Sequence, residues 1–259
     1  MDVNYTGFGL AGKTAIVTGP SQGIGRAIAL GLAQAGCDVA LAPRPAHDRA
    51  AIASLVQEIE ALGRRTVVVP TDVTQVDQLQ SMVARTHEAF GRVDVLVNNA
   101  GWTCTGPAID ATEADYDATM AATTKSVFFA CQAAARVMIP QGGGRIVNIG
   151  SNFAISAFKT RAIYGGAKAA VHQLSRALSL EWAKQNVVVN VVAPCITETE
   201  SRRAILERPG YKEWVAEKLP IGRWNQPEDV VGAVLFLCSE MARQVVGHVL
   251  YVDGGWTIH

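Results

Sequence analysis

Short apolar runs alternate with longer helical patterns along the whole chain, and this alternation limits the fold more than any other feature. Strands this uniformly apolar are typical of a parallel sheet that helices cover on both faces. The sequence therefore predicts one doubly wound α/β domain over residues 1–259, with a mostly parallel sheet. The predicted strands are 14–17, 38–42, 66–69, 93–97, 145–149, 187–192 and 248–252, and the predicted helices are 23–35, 48–62, 76–90, one within 115–139, one carrying Tyr164 and Lys168, and 228–238.

Composition excludes several classes of partner. Lys plus Arg and Asp plus Glu are each 23 and no long basic run occurs, so nucleic acid and anionic membranes are not expected partners. The five scattered cysteines fit reduced thiols, and the amino terminus is too polar for a signal peptide, so we expect a cytoplasmic protein. The five histidines lack metal-binding spacing, so we expect them to be structural or surface residues, and no metal site is predicted.

Tyr164 and Lys168 are four residues apart at the start of a helical pattern, so both side chains project from one face. The lysine charge favours the ionised phenol, which suits the pair to general acid and base catalysis. Ser151 follows the predicted strand 145–149 and can offer its hydroxyl to a reacting carbonyl oxygen. An ordinary surface helix is the alternative explanation of the Tyr-x-x-x-Lys spacing by itself.

A glycine-rich turn follows the first predicted strand and precedes the first helix. Gly19, Gly23 and Gly25 are spaced G-x-x-x-G-x-G, which lets the backbone turn tightly and approach a pyrophosphate at the helix amino terminus. A glycine turn without a ligand is the alternative, but the strand, turn and helix context favours nucleotide binding.

Several motifs occur together in a fixed order: Thr18-Gly19-x-x-x-Gly23-x-Gly25, Asp72-Val73, Asn98-Asn99-Ala100-Gly101, Ser151 with Tyr164 and Lys168, Pro194, and Val252-Asp253-Gly254-Gly255. Along essentially its whole length the chain resembles the short-chain dehydrogenase/reductases, in particular the 3-oxoacyl-carrier-protein-reductase-like branch. The resemblance implies a Rossmann-type fold and an NAD(P)-dependent oxidoreductase that interconverts a ketone and a secondary alcohol, with a small carbonyl or alcohol compound as substrate.

The resemblance also implies the roles of individual residues. Tyr164 would be the acid/base, Lys168 would favour its ionised form and hold the nicotinamide ribose, and Ser151 would orient the substrate oxygen. Residues from the glycine turn and from the segments after later strands would bind the cofactor. The expected cofactor-binding residues are Gly19, Ser21, Gln22, Gly23, Ile24, Gly25, Asp72, Val73, Asn99, Ala100, Gly101, Tyr164, Lys168, Pro194, Thr197 and Thr199.

The second predicted strand ends in Ala42-Pro43-Arg44, where an acidic residue would be needed to bind the adenine ribose hydroxyls. Arg44 can instead pair with a 2′-phosphate through two hydrogen bonds. The sequence therefore predicts a preference for NADP(H), with NAD(H) possible. A solvent-exposed arginine after a turn is the alternative explanation of Arg44.

Two positions depart from the family pattern. Thr123 stands where an asparagine usually holds a water of the proton relay, so its place in the catalytic set is doubtful. Cys195 follows Pro194, where glycine is usual, and is expected to narrow the pocket; it has no identifiable basic partner that would make it a nucleophile. A nucleotide-binding or regulatory protein of the same fold, weak or inactive as a catalyst, is the alternative function.

The least regular stretch is 195–226, which begins at the carboxyl end of the sixth predicted strand, and we expect it to form a substrate loop or lid. A surface excursion is the alternative. The expected pocket residues are Trp102, Phe153, Cys195 and Trp214, and buried packing is the alternative explanation of Trp102 and Phe153. The alanine-rich helical segments 127–139 and 169–180 correspond to helices that commonly form the dimer interface in the resembled family, which favours a homotetramer or homodimer.

Overall fold

Parallel strands form a seven-stranded sheet in the computed structural model, which describes residues 5–45, 49–102 and 104–258. Their order is β3-β2-β1-β4-β5-β6-β7, and every pairing is parallel. The doubly wound fold predicted from the sequence is confirmed. The strands are β1 (Thr14–Thr18), β2 (Asp38–Ala42), β3 (Thr66–Val68), β4 (Val95–Asn98), β5 (Gly144–Ile149), β6 (Val187–Pro194) and β7 (Val249–Val252).

Helices cover the sheet on both faces, and successive strand residues point to opposite faces. Val17 of β1 packs with one set of helices, while its neighbour Ile16 packs with the other. The first face carries α1 (Gly23–Gln34), α2 (Arg49–Ala61) and α9 (Pro227–Cys238). The second face carries α3 (Val76–Phe90), α5 (Ser126–Met138) and α6 (Ala162–Trp182). Among the described residues, none of the helices is long and apolar enough to cross a membrane.

Several elements differ from their predicted form, most of them by one or two residues at an end. The fourth strand begins at Val95, not Val93, because the Gln141 side chain hydrogen-bonds both the N–H and the carbonyl of Val93. The helix predicted within 115–139 is divided into α4 (Glu113–Met120) and α5 by a π-helical segment, Ala121–Lys125. The second helix begins at Arg49, and Asp48 lies outside the described residues.

The stretch 195–226 is more regular than the sequence suggested. It contains α7 (Arg203–Leu206) and α8 (Tyr211–Lys218), which pack around a small apolar core of their own. We call residues 195–226 the lid segment.

The carboxyl ends of all seven strands lie along one edge of the sheet, and the chain order reverses between β1 and β4. Ligands of open α/β sheets bind outside the strand ends at such a reversal. The glycine turn follows β1, Asn99 follows β4, Ser151 follows β5 and the lid segment follows β6. The topology therefore collects the predicted site residues along this edge.

Candidate active site

The glycine turn after β1 tolerates no side chain at its tightest point. Gly19 and Gly23 have φ values of +63° and +54°, in the left-handed region that favours glycine. A Cβ added to Gly25 would lie 2.2 Å from the Gly19 carbonyl oxygen and 2.4 Å from Asn99 Nδ2. The hydroxyl of Ser21 is buried without a hydrogen-bond partner among the described residues. A narrow backbone cradle with an unpaired hydroxyl fits a phosphate-bearing cofactor.

The segment after β4 holds this turn in shape. The Asn99 side chain donates to the carbonyl oxygens of Thr18 and Gly19, both at 3.0 Å. The Thr18 hydroxyl in turn accepts from the backbone N–H groups of Asn99 and Ala100, also at 3.0 Å. Asn99 therefore shapes the glycine turn, a structural contribution that the sequence did not reveal.

Arg44 follows β2 with its side chain exposed to solvent. Its charge acts on Asp72, which follows β3. Two hydrogen bonds from Thr74, from its backbone N–H at 3.0 Å and its hydroxyl at 2.8 Å, lower the pKa of Asp72, and the Arg44 charge lowers it further. Val73, beside Asp72, is partly buried against the core. These three residues form a neighbourhood at the β2 and β3 ends suited to an adenosine moiety.

Ser151, Tyr164 and Lys168 lie where β5 and α6 meet. Ser151 is buried at the end of β5, where its hydroxyl accepts from Phe153 N at 3.2 Å. Lys168 is only 5% exposed; its ammonium donates to the Ile149 carbonyl oxygen and lies 5.8 Å from the centre of the Tyr164 ring. Lys168 is thus buried and Tyr164 half-buried, unlike a pair on a solvent-exposed surface helix.

His172 lies one turn beyond Lys168 on α6, behind Ser151. Its Nε2 accepts a hydrogen bond of 3.4 Å from the Ser151 backbone N–H. Burial, and then the charges of Lys168 and Arg176, lower the pKa of His172 to about 4, so the ring is neutral at pH 7. Sequence reasoning treated the histidines as structural or surface residues. The spacing of four residues from Lys168 is the signal that could have singled this one out.

Thr123 lies inside the π-helical segment and is fully buried. Its hydroxyl donates to the Trp102 carbonyl oxygen at 3.0 Å. The neighbouring Thr124 hydroxyl donates to the Ala167 carbonyl oxygen at 3.1 Å, which ties the segment to α6 next to Lys168. Single π-helical turns are frequent at functional sites, and this one brings Thr123 close to the segment after β4.

Five aromatic rings from three separate parts of the chain form what we call the aromatic cluster. Neighbouring centroids lie between 5.0 Å, for the stacked pair Phe153 and Phe158, and 6.2 Å, for Phe158 with Trp214 and with Trp256. Trp214 also lies 6.0 Å from Trp256 and 5.4 Å from Tyr211. The cluster joins the lid segment to the loop between Ser151 and Tyr164.

The structure places the four predicted pocket residues in different surroundings. Phe153 and Trp214 are members of the aromatic cluster, whereas Trp102 is 46% exposed and shares no ring contact with the cluster among the described residues. Cys195 packs against the apolar core of the lid segment. Burial raises the pKa of its thiol to about 12, so it stays protonated at pH 7 and is unsuited to nucleophilic attack. Trp256, near the carboxyl terminus, was not foreseen as a pocket residue.

The start of the lid segment lies directly over the glycine turn. A Cβ added to Gly23 would lie 2.7 Å from Thr199 Cγ2. Thr197 is buried, and its hydroxyl donates to the Cys195 carbonyl oxygen at 3.1 Å. Pro194 ends β6 just before them. Gly23 and Thr199, two predicted cofactor-binding residues from opposite halves of the chain, are therefore neighbours.

A family model described as enoyl-(acyl carrier protein) reductase matches residues 19–257. The chain belongs to the short-chain dehydrogenase/reductase family. It is accordingly an oxidoreductase that acts on CH–OH groups. No group of three or more His, Cys, Asp or Glu residues in the described part of this dehydrogenase is arranged to hold a metal ion.

Relatives of this dehydrogenase carry the names of enzymes of sugars and sugar acids. It is 36% identical to 2-dehydro-3-deoxy-D-gluconate 5-dehydrogenase of Escherichia coli, with 96% of this chain and 97% of the relative covered. It is 39% identical to an L-rhamnose 1-dehydrogenase (NAD(P)(+)) of a Sphingomonas species, with 96% and 98% covered. A gluconate 5-dehydrogenase of Burkholderia cenocepacia, crystallised with NADP and tartrate, superposes with a TM-score of 0.91 at 34% identity and covers 97% of this chain and 98% of that chain.

Proposed function

We propose that this dehydrogenase interconverts a ketone and a secondary alcohol with NADP(H), using Ser151, Tyr164 and Lys168. The observation that carries the proposal is the burial of the Lys168 ammonium, 5.8 Å from the centre of the Tyr164 ring and at the end of the strand that leads to Ser151. A buried cation next to a phenol stabilises the phenolate, which is the form that a tyrosine acid must be able to adopt.

In the reductive direction, the cofactor would supply a hydride to the carbonyl carbon of the substrate when bound. Tyr164 donates its phenolic proton to the carbonyl oxygen, which receives the electron pair of the C=O π bond. The Ser151 hydroxyl donates a hydrogen bond to the same oxygen and stabilises the charge that develops there. Lys168 stabilises the resulting phenolate. In the oxidative direction, the Tyr164 phenolate accepts the proton of the alcohol.

Several features of the cleft support NADP(H) as the preferred cofactor. The end of β2 offers no carboxylate to the adenine ribose, whereas Arg44 is exposed there and can pair with a 2′-phosphate. The unpaired Ser21 hydroxyl and the glycine turn fit the phosphates. The Burkholderia relative was crystallised with NADP, and the Sphingomonas relative is named as using NAD(P)(+), so NAD(H) remains a second possible cofactor.

Replacement of Tyr164 by Phe tests the catalytic assignment, because it removes only the hydroxyl. We expect the thermal midpoint and the Kd for NADPH to stay unchanged, while kcat on a panel of ketones falls by about 100-fold to 10,000-fold. Tyr116→Phe, at an exposed tyrosine of α4, is the matched control and should keep full activity. Residual turnover above about a tenth of wild type would remove Tyr164 from the acid/base role.

The same assay separates the enzyme from the alternative, a binding or regulatory protein of this fold. Tight NADPH binding without cofactor oxidation by any ketone or alcohol of the panel would favour that alternative. Cytoplasmic localisation and assembly as a homotetramer or homodimer through α5 and α6 stay predictions. Light scattering coupled to size-exclusion chromatography measures the oligomeric state directly.

A further inference from the structure

Two arginines near the proposed acid/base have no carboxylate partner within the described part of the chain. Arg161 lies at the amino end of α6, three residues before Tyr164 and so about one helical turn from it. Arg202 comes from the lid segment, at the end of the turn Glu200–Arg202. Neither guanidinium forms an ion pair within the described part of the chain; Arg161 Nη1 donates to the Thr105 hydroxyl at 2.5 Å.

The aromatic cluster brings these two arginines into one neighbourhood. Phe158 comes three residues before Arg161, and its ring centre lies 6.2 Å from that of Trp214 in the lid segment. The ring centres of Trp214 and Tyr211 are 5.4 Å apart. Both arginine charges act on Tyr211, and Arg161 also interacts electrostatically with Tyr164. The two cations therefore lie in the same neighbourhood as the proposed catalytic phenol.

An anion beside the two guanidinium groups would stabilise this arrangement. Burial, and then the charge of Arg202, lower the pKa of the Arg161 guanidinium, because the cation has lost part of its hydration and faces a like charge. Arginine nevertheless stays protonated at neutral pH, so the repulsion persists. A carboxylate between the two guanidinium groups would remove it.

The backbone before Arg161 is also held in an uncommon conformation. Thr160 has a φ of +66°, and β-branched residues rarely adopt this left-handed region. The Thr160 carbonyl oxygen accepts a hydrogen bond of 3.4 Å from Gly106 N, which fixes the turn. Strain of this kind clusters at ligand sites, and here it sets the direction in which the chain presents Arg161.

We infer that Arg161 and Arg202 bind the carboxylate of a polyhydroxy or keto acid whose carbonyl or secondary alcohol reacts at Tyr164. The inference rests on the proposed function and names its substrate class. Guanidinium groups bind carboxylates through two parallel hydrogen bonds, which give orientation as well as affinity. The aromatic cluster provides apolar faces for the carbon chain between the carboxylate and the reacting carbon.

A matched pair of ketones tests this inference. L-Sorbose has the carbon skeleton of 5-keto-D-gluconate with a primary alcohol in place of the carboxylate. With NADPH, we expect wild-type kcat/KM for 5-keto-D-gluconate to exceed that for L-sorbose by about 100-fold or more. Arg161→Gln and Arg202→Gln should each raise KM for the acid by about 10-fold to 30-fold. KM for L-sorbose should stay within about threefold of the wild-type value.

Arg203→Gln is the matched control, because Arg203 is an exposed neighbour of Arg202 whose charge acts on Glu198. It removes one positive charge from the same segment and should leave the preference for the acid unchanged. Calorimetric titration of the NADP⁺-loaded protein with D-gluconate, L-tartrate and D-sorbitol measures carboxylate binding without turnover. We expect both acids to bind more tightly than D-sorbitol, and the two arginine variants to lose that difference.

The inference is overturned if neither acid binds more tightly than D-sorbitol. It is also overturned if the arginine variants raise KM for 5-keto-D-gluconate and for L-sorbose by the same factor. Reduction of neutral ketones without preference for the acid would overturn it and leave the proposed function standing. Arginine-dependent binding of the acids without NADPH oxidation by any ketone would support the carboxylate site and contradict the proposed function. The two failures are thus distinguishable.

Discussion

The Thr123 hydroxyl donates a hydrogen bond to the Trp102 carbonyl oxygen at 3.0 Å from within a π-helical turn. This bond commits the only hydrogen of the hydroxyl, so the oxygen can serve a water only as an acceptor. It also joins the segment after β4, which carries the expected cofactor residues, to the helix that packs on α6. Thr123 thus has a structural role that does not depend on a proton relay.

Substitution of Thr123 separates these two roles. Thr123→Val keeps the shape of the side chain and removes the hydroxyl. We therefore expect the free energy of unfolding, measured in urea, to fall by about 1 kcal/mol because one hydrogen bond is missing. If the hydroxyl also holds a relay water, kcat falls and its pH profile shifts, whereas Thr123→Asn keeps or raises kcat. A Val variant with wild-type kcat and pH profile would rule out the relay.

Gly25→Ala should block cofactor binding, because the new Cβ would collide with the Gly19 carbonyl oxygen at 2.2 Å and with the Asn99 amide. We expect a Kd for NADPH raised by about 100-fold or more, measured by cofactor fluorescence. Gly232→Ala in α9 is the control: nothing lies within 4 Å of its added Cβ, and it should stabilise the protein by about 0.5 to 1 kcal/mol. Unchanged NADPH affinity in Gly25→Ala would show that the turn does not approach the cofactor.

Arg44 should set the choice between the two nicotinamide cofactors. We expect wild type to prefer NADPH over NADH by about tenfold or more in kcat/KM, and Arg44→Ala to lose most of this preference by weakening NADPH alone. Arg85→Ala, at an exposed arginine of α3, is the control and should keep the wild-type ratio. A tenfold preference of wild type for NADH would contradict the role assigned to Arg44.

His172 should make the fold sensitive to acid. The unfolded imidazole takes up a proton near pH 6.5, whereas in the folded protein the pKa of His172 is about 4. The unfolded state therefore binds more protons between these values, and stability falls as pH decreases through this window. We expect His172→Asn, whose side-chain oxygen can still accept from Ser151 N, to show a flatter decrease in unfolding free energy from pH 7 to pH 4.

The exposed His87 of α3 provides the comparison for this experiment. His87→Asn removes an exposed imidazole by the same substitution and so controls for the loss of a histidine side chain. Parallel stability curves for wild type and His172→Asn would show that His172 does not contribute to acid sensitivity.

The sequence by itself determined what depends on local spacing and alternation. Apolar strands alternating with helices require a covered parallel sheet, and the carboxyl ends of parallel strands necessarily meet at one edge. The glycine spacing after β1 and the four-residue spacing of Tyr164 and Lys168 follow from backbone geometry alone. These features predict where the cofactor cradle and the proposed acid/base lie in the chain.

Only the tertiary structure decided which distant residues share the cleft. Trp256 packs against Phe153, the charge of Arg202 acts on Arg161, and Asn99 donates a hydrogen bond to Gly19, although each pair is far apart in the chain. Such contacts depend on how the lid segment and the loops pack. This packing does not produce a periodic pattern of apolar residues that could be recognised in the sequence. The π-helical turn at Thr123 likewise results from hydrogen bonds to neighbouring segments, because the helical pattern through 115–139 is itself continuous.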